Sequence, residues 1–351
     1  MGYRLYHDAR FTTTMIAGCV MSDSPNNYTS EKREPPHHPG LGLVRVTEEG
    51  ALAAARWVGL DQRHTADEAA HNAVTSALRQ LPMRGYIVSG EEGRVGENTL
   101  LDSGCAVGSG TGPEMDVEIN AIDGATLVAD GRPGSMSVAA LAPRGTLWSP
   151  GPAVYLQKLV VDRTVADAIG PDALDAPPAW TLATVARAKG KDIRDLAVFI
   201  LDRPRHAELI KEVRQAGARV LLRIGGDIGG AMMAADPNVS VDALMGIGGA
   251  AEGLMASCAV KALGGAIMAR VTPQSEAELR ACQEGNVDLK RILTRDDLVS
   301  GDEVFFSATG ITDGGLLRGI DFHGGTATSH SLVLRYETGT RRVINTEHRL
   351  K

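Results

Sequence analysis

Aromatic residues are scarce: Phe, Trp and Tyr together make 4% of the 351-residue chain. Basic residues fall short of acidic ones, 36 against 43, for a formal charge of −7. These two shortages argue against a nucleic-acid partner, which needs a cationic face and stacking platforms. Long apolar runs are missing too. No stretch approaches the roughly 18 residues needed to span a bilayer, so no membrane partner is expected. Cysteine is limited to Cys19, Cys105, Cys258 and Cys282, with no CxxC and no metal-type spacing. The four are expected to be reduced thiols in a cytoplasmic protein, with Cys258 buried in an Ala-rich helical pattern. Met15-Ile-Ala-Gly-Cys19 has the form of a lipoprotein cleavage box, but the apolar run before it is too short for a signal peptide.

Glycine, by contrast, is abundant: 41 residues, against a usual share of about 7%. The length suits two lobes or one large α/β unit. Residues 1–40 have little apolar content between Ser22 and Pro39, with Asn26-Asn27, Pro35-Pro36 and the His37-His38 pair. This composition predicts a flexible tail, and Met21 is a candidate start. From Thr47-Glu48-Glu49 the spacing of Leu52, Ala55 and Val58 predicts a helix. Thr65-Ala66-Asp67-Glu68 has the form of a capping box opening a second helix that runs to about Leu81. Strands are expected at Gly85–Ser89, Met115–Ile119 and Ser135–Ala142. From about Trp180, helix and strand alternate as far as Val271, which argues an α/β fold. Ser331–Tyr336 and Arg342–Thr346 flank Glu337-Thr-Gly-Thr and predict a hairpin.

The distinctive feature is where carboxylates meet glycines. Asp67 stands at a helix start, Glu91 between glycines, Asp123 in Asn120-Ala-Ile-Asp-Gly124, and Glu252 in Gly246-Ile-Gly-Gly-Ala-Ala-Glu-Gly253. Each falls at a strand end or helix start, where α/β folds place their sites. Loop carboxylates suit Mg²⁺, a hard cation that takes oxygen ligands and bridges to phosphates. Neighbouring glycines let backbone N–H groups approach an anion. Taken singly, each acid is equally a solvated loop residue or a helix cap.

From about residue 41 to its end, the chain resembles class II fructose-1,6-bisphosphatase, a member of the metal-dependent, lithium-sensitive sugar and inositol phosphatase superfamily. The matching stretches are Thr65-Ala-Asp67, Ile122-Asp-Gly-Ala-Thr-Leu127, Tyr155-Leu-Gln-Lys158, Arg203-Pro-Arg-His206, Gly246–Gly253 and Phe306-Ser-Ala-Thr-Gly-Ile-Thr-Asp-Gly314 with Leu316–Gly319. They stand in the family's order. The resemblance implies an α/β fold, an αβαβα sandwich of two lobes: a metal- and phosphate-binding lobe over 41–170 and a substrate-binding lobe over 171–351. It implies Mg²⁺- or Mn²⁺-dependent hydrolysis of a sugar bisphosphate, with fructose 1,6-bisphosphate as the default, by a homo-oligomer (dimer or tetramer). By the resemblance, Asp67, Glu91, Asp123 and Glu252 are metal ligands, the first three also catalytic. Gly124, Ala125 and Thr126 offer backbone N–H groups to phosphate. Arg63, Tyr155, Arg203, Arg205 and Asp227 hold the rest of the substrate, while His206 carries no assigned role.

The sequence departs from the family pattern at the chemistry. The family motif Asp-Pro-Ile-Asp/Glu-Gly-Thr reads here Asn120-Ala-Ile-Asp-Gly-Ala125. Asn120 ligates only through a neutral carbonyl oxygen, and Ala125 has no hydroxyl to orient water. Glu118, two residues earlier on a strand, would face the same side as Asn120. It is either a replacement metal ligand or a solvent-facing strand residue. Gly225-Gly226-Asp227 lacks one acid of the family's Asp-Gly-Asp, Glu68 stands where Gly is usual, and Gln157 replaces Glu. A site missing one hydroxyl acceptor discriminates substrates differently. The alternative to an active phosphatase is a catalytically impaired sugar-phosphate-binding or regulatory homologue.

Overall fold

Residues 39–92, 95 and 99–350 are described by the structure, a computed structural model. The expected tail, with Cys19, Met21 and the His pair, lies outside them, save that Pro39 and Gly40 open the first helix. In chain order the elements are α1 (Pro39–Ala55), α2 (Arg63–Leu78), β1 (Arg84–Ser89), β2 (Ala106–Val107), β3 (Glu114–Asp123), α3 (Ala125–Ala129), β4 (Met136–Pro143) and β5 (Tyr155–Val161). Then follow α4 (Pro178–Lys189), β6 (Ala197–Leu201), α5 (Ala207–Gln215), β7 (Arg219–Arg223), α6 (Asp227–Ala235), β8 (Ala243–Gly249), α7 (Ala250–Leu263) and β9 (Ala266–Val271). The chain closes with α8 (Glu276–Glu284), β10 (Leu293–Thr294), α9 (Arg295–Leu298), β11 (Phe305–Gly310), β12 (Asp321–His323), β13 (Thr326–Arg335) and β14 (Thr340–Arg349).

Two mixed sheets result. The first has eight strands in the order β12-β13-β11-β4-β3-β1-β2, with β14 on β13. The second has six, β10-β9-β5-β8-β6-β7. Helices α1 and α2 cover one face of the first sheet, α6 and α7 fill the space between the sheets, and α4 and α5 cover the far face of the second. The layers are therefore αβαβα, as the resemblance implied. The boundary expected at residues 170 and 171 falls in turns after β5, and the strands beyond it serve both sheets.

The middle layer explains why glycine is useful here. α6 and α7 are buried along nearly their whole length, among residues of both sheets. Such helices need small residues to let two sheets approach. At Gly230 of α6, a Cβ would lie 2.5 Å from the Phe199 ring of β6.

Two local expectations fail. α1 begins at Pro39 rather than near Thr47. Thr47 is no cap: its hydroxyl bonds the Val44 carbonyl and the hydroxyls of Ser307 (2.9 Å) and Thr309 (2.8 Å) on β11. α2 is N-capped by Gln62 without a side-chain bond, so Thr65 is helical and forms no capping box. Both polar residues serve packing or solvent in mid-helix. The β9 strand matches its expected bounds, and the β13–β14 hairpin is longer than expected, pairing Thr326 to Arg349 through Arg335 to Thr340.

Candidate active site

The first group of acids gathers where β1 and β3 end. Asp67 and His71 stand one turn apart on α2, both buried. His71 Nδ1 lies 3.5 Å from Glu91 Oε2, and Glu91 Oε1 accepts the Ala121 N–H of β3 at 2.9 Å. Arg63 Nε lies 3.8 Å from Asp67 Oδ2, with the arginine largely exposed. On β3 a register shift between Asn120 and Asp123 bends the strand, and a bulge of this kind re-aims the side chains beyond it. The buried Asp123 carboxylate thereby reaches the first turn of α6, where the Gly229 N–H donates to its Oδ2 at 3.2 Å. Ser135 Oγ donates to the Asp123 carbonyl at 2.9 Å and steadies the turn.

Gly124 follows with φ +82 and caps α3; Gly226 with φ +77 caps α6. A Cβ on Gly225 would lie 3.5 Å from Gly124 Cα, so the two helix starts abut. Positive φ and close approach both call for glycine here. The first N–H groups of α3, those of Ala125 and Thr126, have no partner within the helix. Ala125 is buried and Thr126 exposed.

Glu118 is not solvent-facing. It is 1% exposed, and the Ser89 N–H donates to its Oε1 at 2.7 Å. Of the two readings of Glu118, the solvent-facing one is thus excluded, because helices cover both faces of this sheet. Burial pushes its carboxyl well above the usual carboxylate range; the Ser89 bond opposes this, and Glu252, Asp116 and Glu92 add to it. Asp116, another acid of the strand, is a structural hub. It pairs with Arg144 at 2.6 Å and accepts the N–H groups of Gly145, Thr146 and Leu147.

The second group lines the ends of β5 and β8. Glu252 lies in the first turn of α7, folded over Gly249: a Cβ there would overlap its carboxylate at 1.8 Å. Tyr155 pairs in register with Gly249, and the Arg205 guanidinium lies 5.0 Å from the Tyr155 ring centre. Arg205 also donates through Nε (3.2 Å) and Nη2 (2.9 Å) to the Ile247 carbonyl. Arg203 spends its guanidinium on the carbonyls of Asp202 and Ile224. Asp227, at the start of α6, accepts from the buried Lys158 of β5 through Oδ2.

The structure thus places Glu91, Glu118, Asn120 and Asp123 on or beside the end of β3, Asp67 on α2, which packs on β3, and Glu252 at the start of α7, with Tyr155 and Arg205 beside the end of β8 and Asp227 at the start of α6. Among the described residues, no three His, Cys, Asp or Glu side chains are spaced to share one ion. The donor set is nonetheless one of buried carboxylate oxygens without thiolate, which fits a hard divalent cation. Backbone N–H groups are among their present partners: Ala121 on Glu91, Ser89 on Glu118 and Gly229 on Asp123. Three polar residues went unassigned in the sequence: His71, Lys158 and His206. Lys158 had a signal, as the one charge in β5, just before the apolar Leu159-Val160-Val161.

Cys105, Cys258 and Cys282 are free thiols, and burial pushes the Cys258 thiol far up, so it is inert. Among the described residues, no helix is long and apolar enough to cross a membrane.

Comparison with known proteins bears on the same segments. Residues 38–348 match the family described as bacterial fructose-1,6-bisphosphatase, glpX-encoded. A D-fructose 1,6-bisphosphatase class 2/sedoheptulose 1,7-bisphosphatase of Synechococcus sp. (strain JA-3-3Ab) is 37% identical over 334 residues, which cover 88% of this chain and 95% of the relative. A fructose-1,6-bisphosphatase class 2 of Haemophilus influenzae is 37% identical over 323 residues, covering 88% of this chain and 96% of the relative. With the layered fold, the two glycine-capped helix starts and this match over most of its length, the chain belongs to the glpX-encoded bacterial fructose-1,6-bisphosphatase family.

Proposed function

We propose that this protein hydrolyses a phosphate ester of a sugar bisphosphate, with fructose 1,6-bisphosphate as the first substrate to test. The carrying observation is the family match over residues 38–348. The meeting of buried carboxylates with glycine-capped helix starts at one set of strand ends supports it. Mg²⁺ or Mn²⁺ is the proposed cofactor and a homo-oligomer, dimer or tetramer, the proposed assembly.

Asp67, Glu91, Asn120, Asp123 and Glu252 would hold the cation, with Glu118 as the replacement for the charge that Asn120 lacks. When bound, a dication polarises the phosphoryl group and supplies a nucleophilic water. The chain's own residues orient what reacts. The Ala125 and Thr126 N–H groups bind the departing phosphate at the start of α3. Glu91 is held by the Ala121 N–H beside His71, and Asp123 by the Gly229 N–H. Arg205, stacked on Tyr155, and Arg63 receive the far phosphate; Asp227, oriented by Lys158, accepts a sugar hydroxyl through its other oxygen. Arg203 supports the wall by tying β6 to β7.

The test is phosphate release from a panel of sugar phosphates with Mg²⁺ and with Mn²⁺. Metal-dependent release from at least one bisphosphate is expected. Its absence from all of them refutes the reading. Activity that appears only in Asn120→Asp with Ala125→Thr would then mark a sugar-phosphate-binding homologue with an impaired site. Glu118→Gln is expected to weaken Mg²⁺ binding at least tenfold. A change no larger than that of Glu284→Gln, on exposed α8, removes Glu118 from the ligand set.

A further inference from the structure

Strand β6 ends at Leu201, and β8 runs on past it. The two strands pair only at Val198 with Ala243 and Phe199 with Leu244. Beyond that point the inward N–H and C=O of β8 have no strand to meet. At Ile247 both groups are nevertheless satisfied, by the turn that follows β6. The Ile247 N–H donates to His206 Nε2 at 2.8 Å, and the Ile247 carbonyl accepts from Arg205 Nε and Nη2. His206 Nδ1 lies 2.7 Å from the Leu201 carbonyl.

These partners fix the tautomer. A backbone N–H only donates and a carbonyl only accepts, so Nε2 is bare and Nδ1 carries the proton. The ring is 1% exposed. It fits because Gly246 has φ +136 and no side chain; a Cβ there would lie 3.0 Å from Nε2. One residue, Ile247, is thus held on both sides, through its N–H by His206 and through its carbonyl by Arg205, adjacent residues of Arg203-Pro-Arg-His206. Arg205 spends two of its N–H groups on that carbonyl and keeps the others for an anion.

We propose that His206 is a positioning residue for the sugar bisphosphate: its Nδ1-protonated ring holds Ile247 by its N–H, and the carbonyl of the residue so placed sets the Arg205 guanidinium against Tyr155. The inference rests on the reading of Arg205 and Tyr155 as the grip on the far phosphate. It gives a residue without contact to substrate a role in affinity rather than in the chemical step. It also makes that grip sensitive to acid. A protonated ring would turn an N–H toward the Ile247 N–H and lose the bond. Burial holds the ring below its ordinary value of 6.5, seconded by Arg205 and Arg203 and opposed by the Leu201 carbonyl and Asp227, which is itself paired with Lys158.

The two ring nitrogens can be tested separately. His206→Gln keeps an acceptor near the Nε2 position; His206→Asn keeps a donor near Nδ1 and leaves the Ile247 N–H without one. kcat and KM for fructose 1,6-bisphosphate are measured with Mn²⁺ from pH 5.5 to 8, beside thermal midpoints. His206→Asn is expected to raise KM about tenfold with kcat within about threefold, the loss of roughly one hydrogen bond to a fixed group. His206→Gln is expected to stay within about threefold in both. Wild-type KM is expected to rise toward the acid end of that range, below the ordinary imidazole value of 6.5, and that of His206→Gln to stay flat. Equal losses of thermal stability in the two variants, with KM unmoved, would overturn the inference and leave the ring a packing residue. If neither variant folds, ¹⁵N-histidine spectra of the wild-type chain decide: a bare Nδ1 at His206 overturns it. The parent reading fails separately, when the wild type hydrolyses no sugar bisphosphate or Arg205→Ala leaves KM unchanged, and the inference falls with it.

Discussion

The buried pair of Lys158 and Asp227 offers the sharpest test of how this site is built. The two side chains are 1% and 9% exposed. The lysine stem runs beside α7, where a Cβ on Gly253 would lie 3.3 Å from Lys158 Cδ. Lys158→Met preserves that stem and removes only the charge, leaving the Asp227 carboxylate buried beside apolar neighbours. Breaking a buried pair from one side costs about 3–5 kcal/mol. Asp227 sits at the start of α6, whose dipole returns up to about 1 kcal/mol. The expected loss is therefore about 3 kcal/mol. Lys158→Met with Asp227→Asn removes both charges and should fall within about 1.5 kcal/mol of wild type, because no ion is then stranded. Urea unfolding followed by circular dichroism, with reversibility checked, gives the four corners of the cycle. A single variant within 1 kcal/mol of wild type, or a double variant at the sum of the two singles, would refute the reasoning. Gly248→Ala probes the same pair without touching it. Its Cβ would lie 2.0 Å from Asp227 Oδ2 and 2.7 Å from Lys158 Nζ, so it should be destabilising even though it is the smallest possible addition.

Three further outcomes are expected. Gly230→Ala drives a methyl into the Phe199 ring and should cost about 1–3 kcal/mol in urea unfolding, with the hydrolytic site unaltered. Asp116→Ala takes the side-chain acceptor from the N–H groups of Gly145 and Leu147 at the turn after β4 and the ion pair from Arg144, while Thr146 keeps its bond to the Pro143 carbonyl, which should lower stability by about 2 kcal/mol in the same assay. Asp242 should make the fold acid-sensitive. Burial alone would raise its carboxyl, but Lys189, Lys191 and the Ala197 N–H hold it below its ordinary 3.8. The unfolded chain then binds the proton first, so the stability from Asp242 is present above pH 3.8 and is lost as pH falls through the lower folded value. Unfolding free energies measured from pH 5 to 2.5 should decline less steeply in Asp242→Asn; equal slopes would dismiss the pair as a source of acid lability.

Much of the architecture was legible from periodicity. The strands Ala197–Leu201 and Ala266–Val271 are short apolar runs bounded by turn residues, and α5 is amphipathic, so local pattern and tertiary placement agree. The pattern misled where polar residues are buried by distant chain. Thr47 looked like a helix start because its partners, Ser307 and Thr309, lie some 260 residues on. Glu118 could be read as solvent-facing or as a ligand because alternation does not say whether both faces are covered, and β3 is covered on both. In the site, the acids and glycines stood out together, since positive φ and close backbone approach select glycine beside them. What spacing does not encode is which oxygen meets which donor. The Lys158–Asp227 contact depends on β5 lying against the start of α6, and the His206–Ile247 bond on β6 ending short of β8.

The polar contacts of α1 also bear on how the chain reaches this state. Helix α1 rests on β4, β11 and β13, and β11 is inserted between β4 and β13. Much of the floor beneath the first helix is thus laid by residues 305–335, more than 240 positions further along the sequence than α1. During synthesis the part of α1 that rests on β11 and β13, and the edge of β4 that awaits β11, stay uncovered until those residues have emerged. Contacts of such separation are slow to form and leave sticky surfaces waiting. The strands of the second sheet, by contrast, are contiguous from Tyr155 to Thr294 and need no such wait.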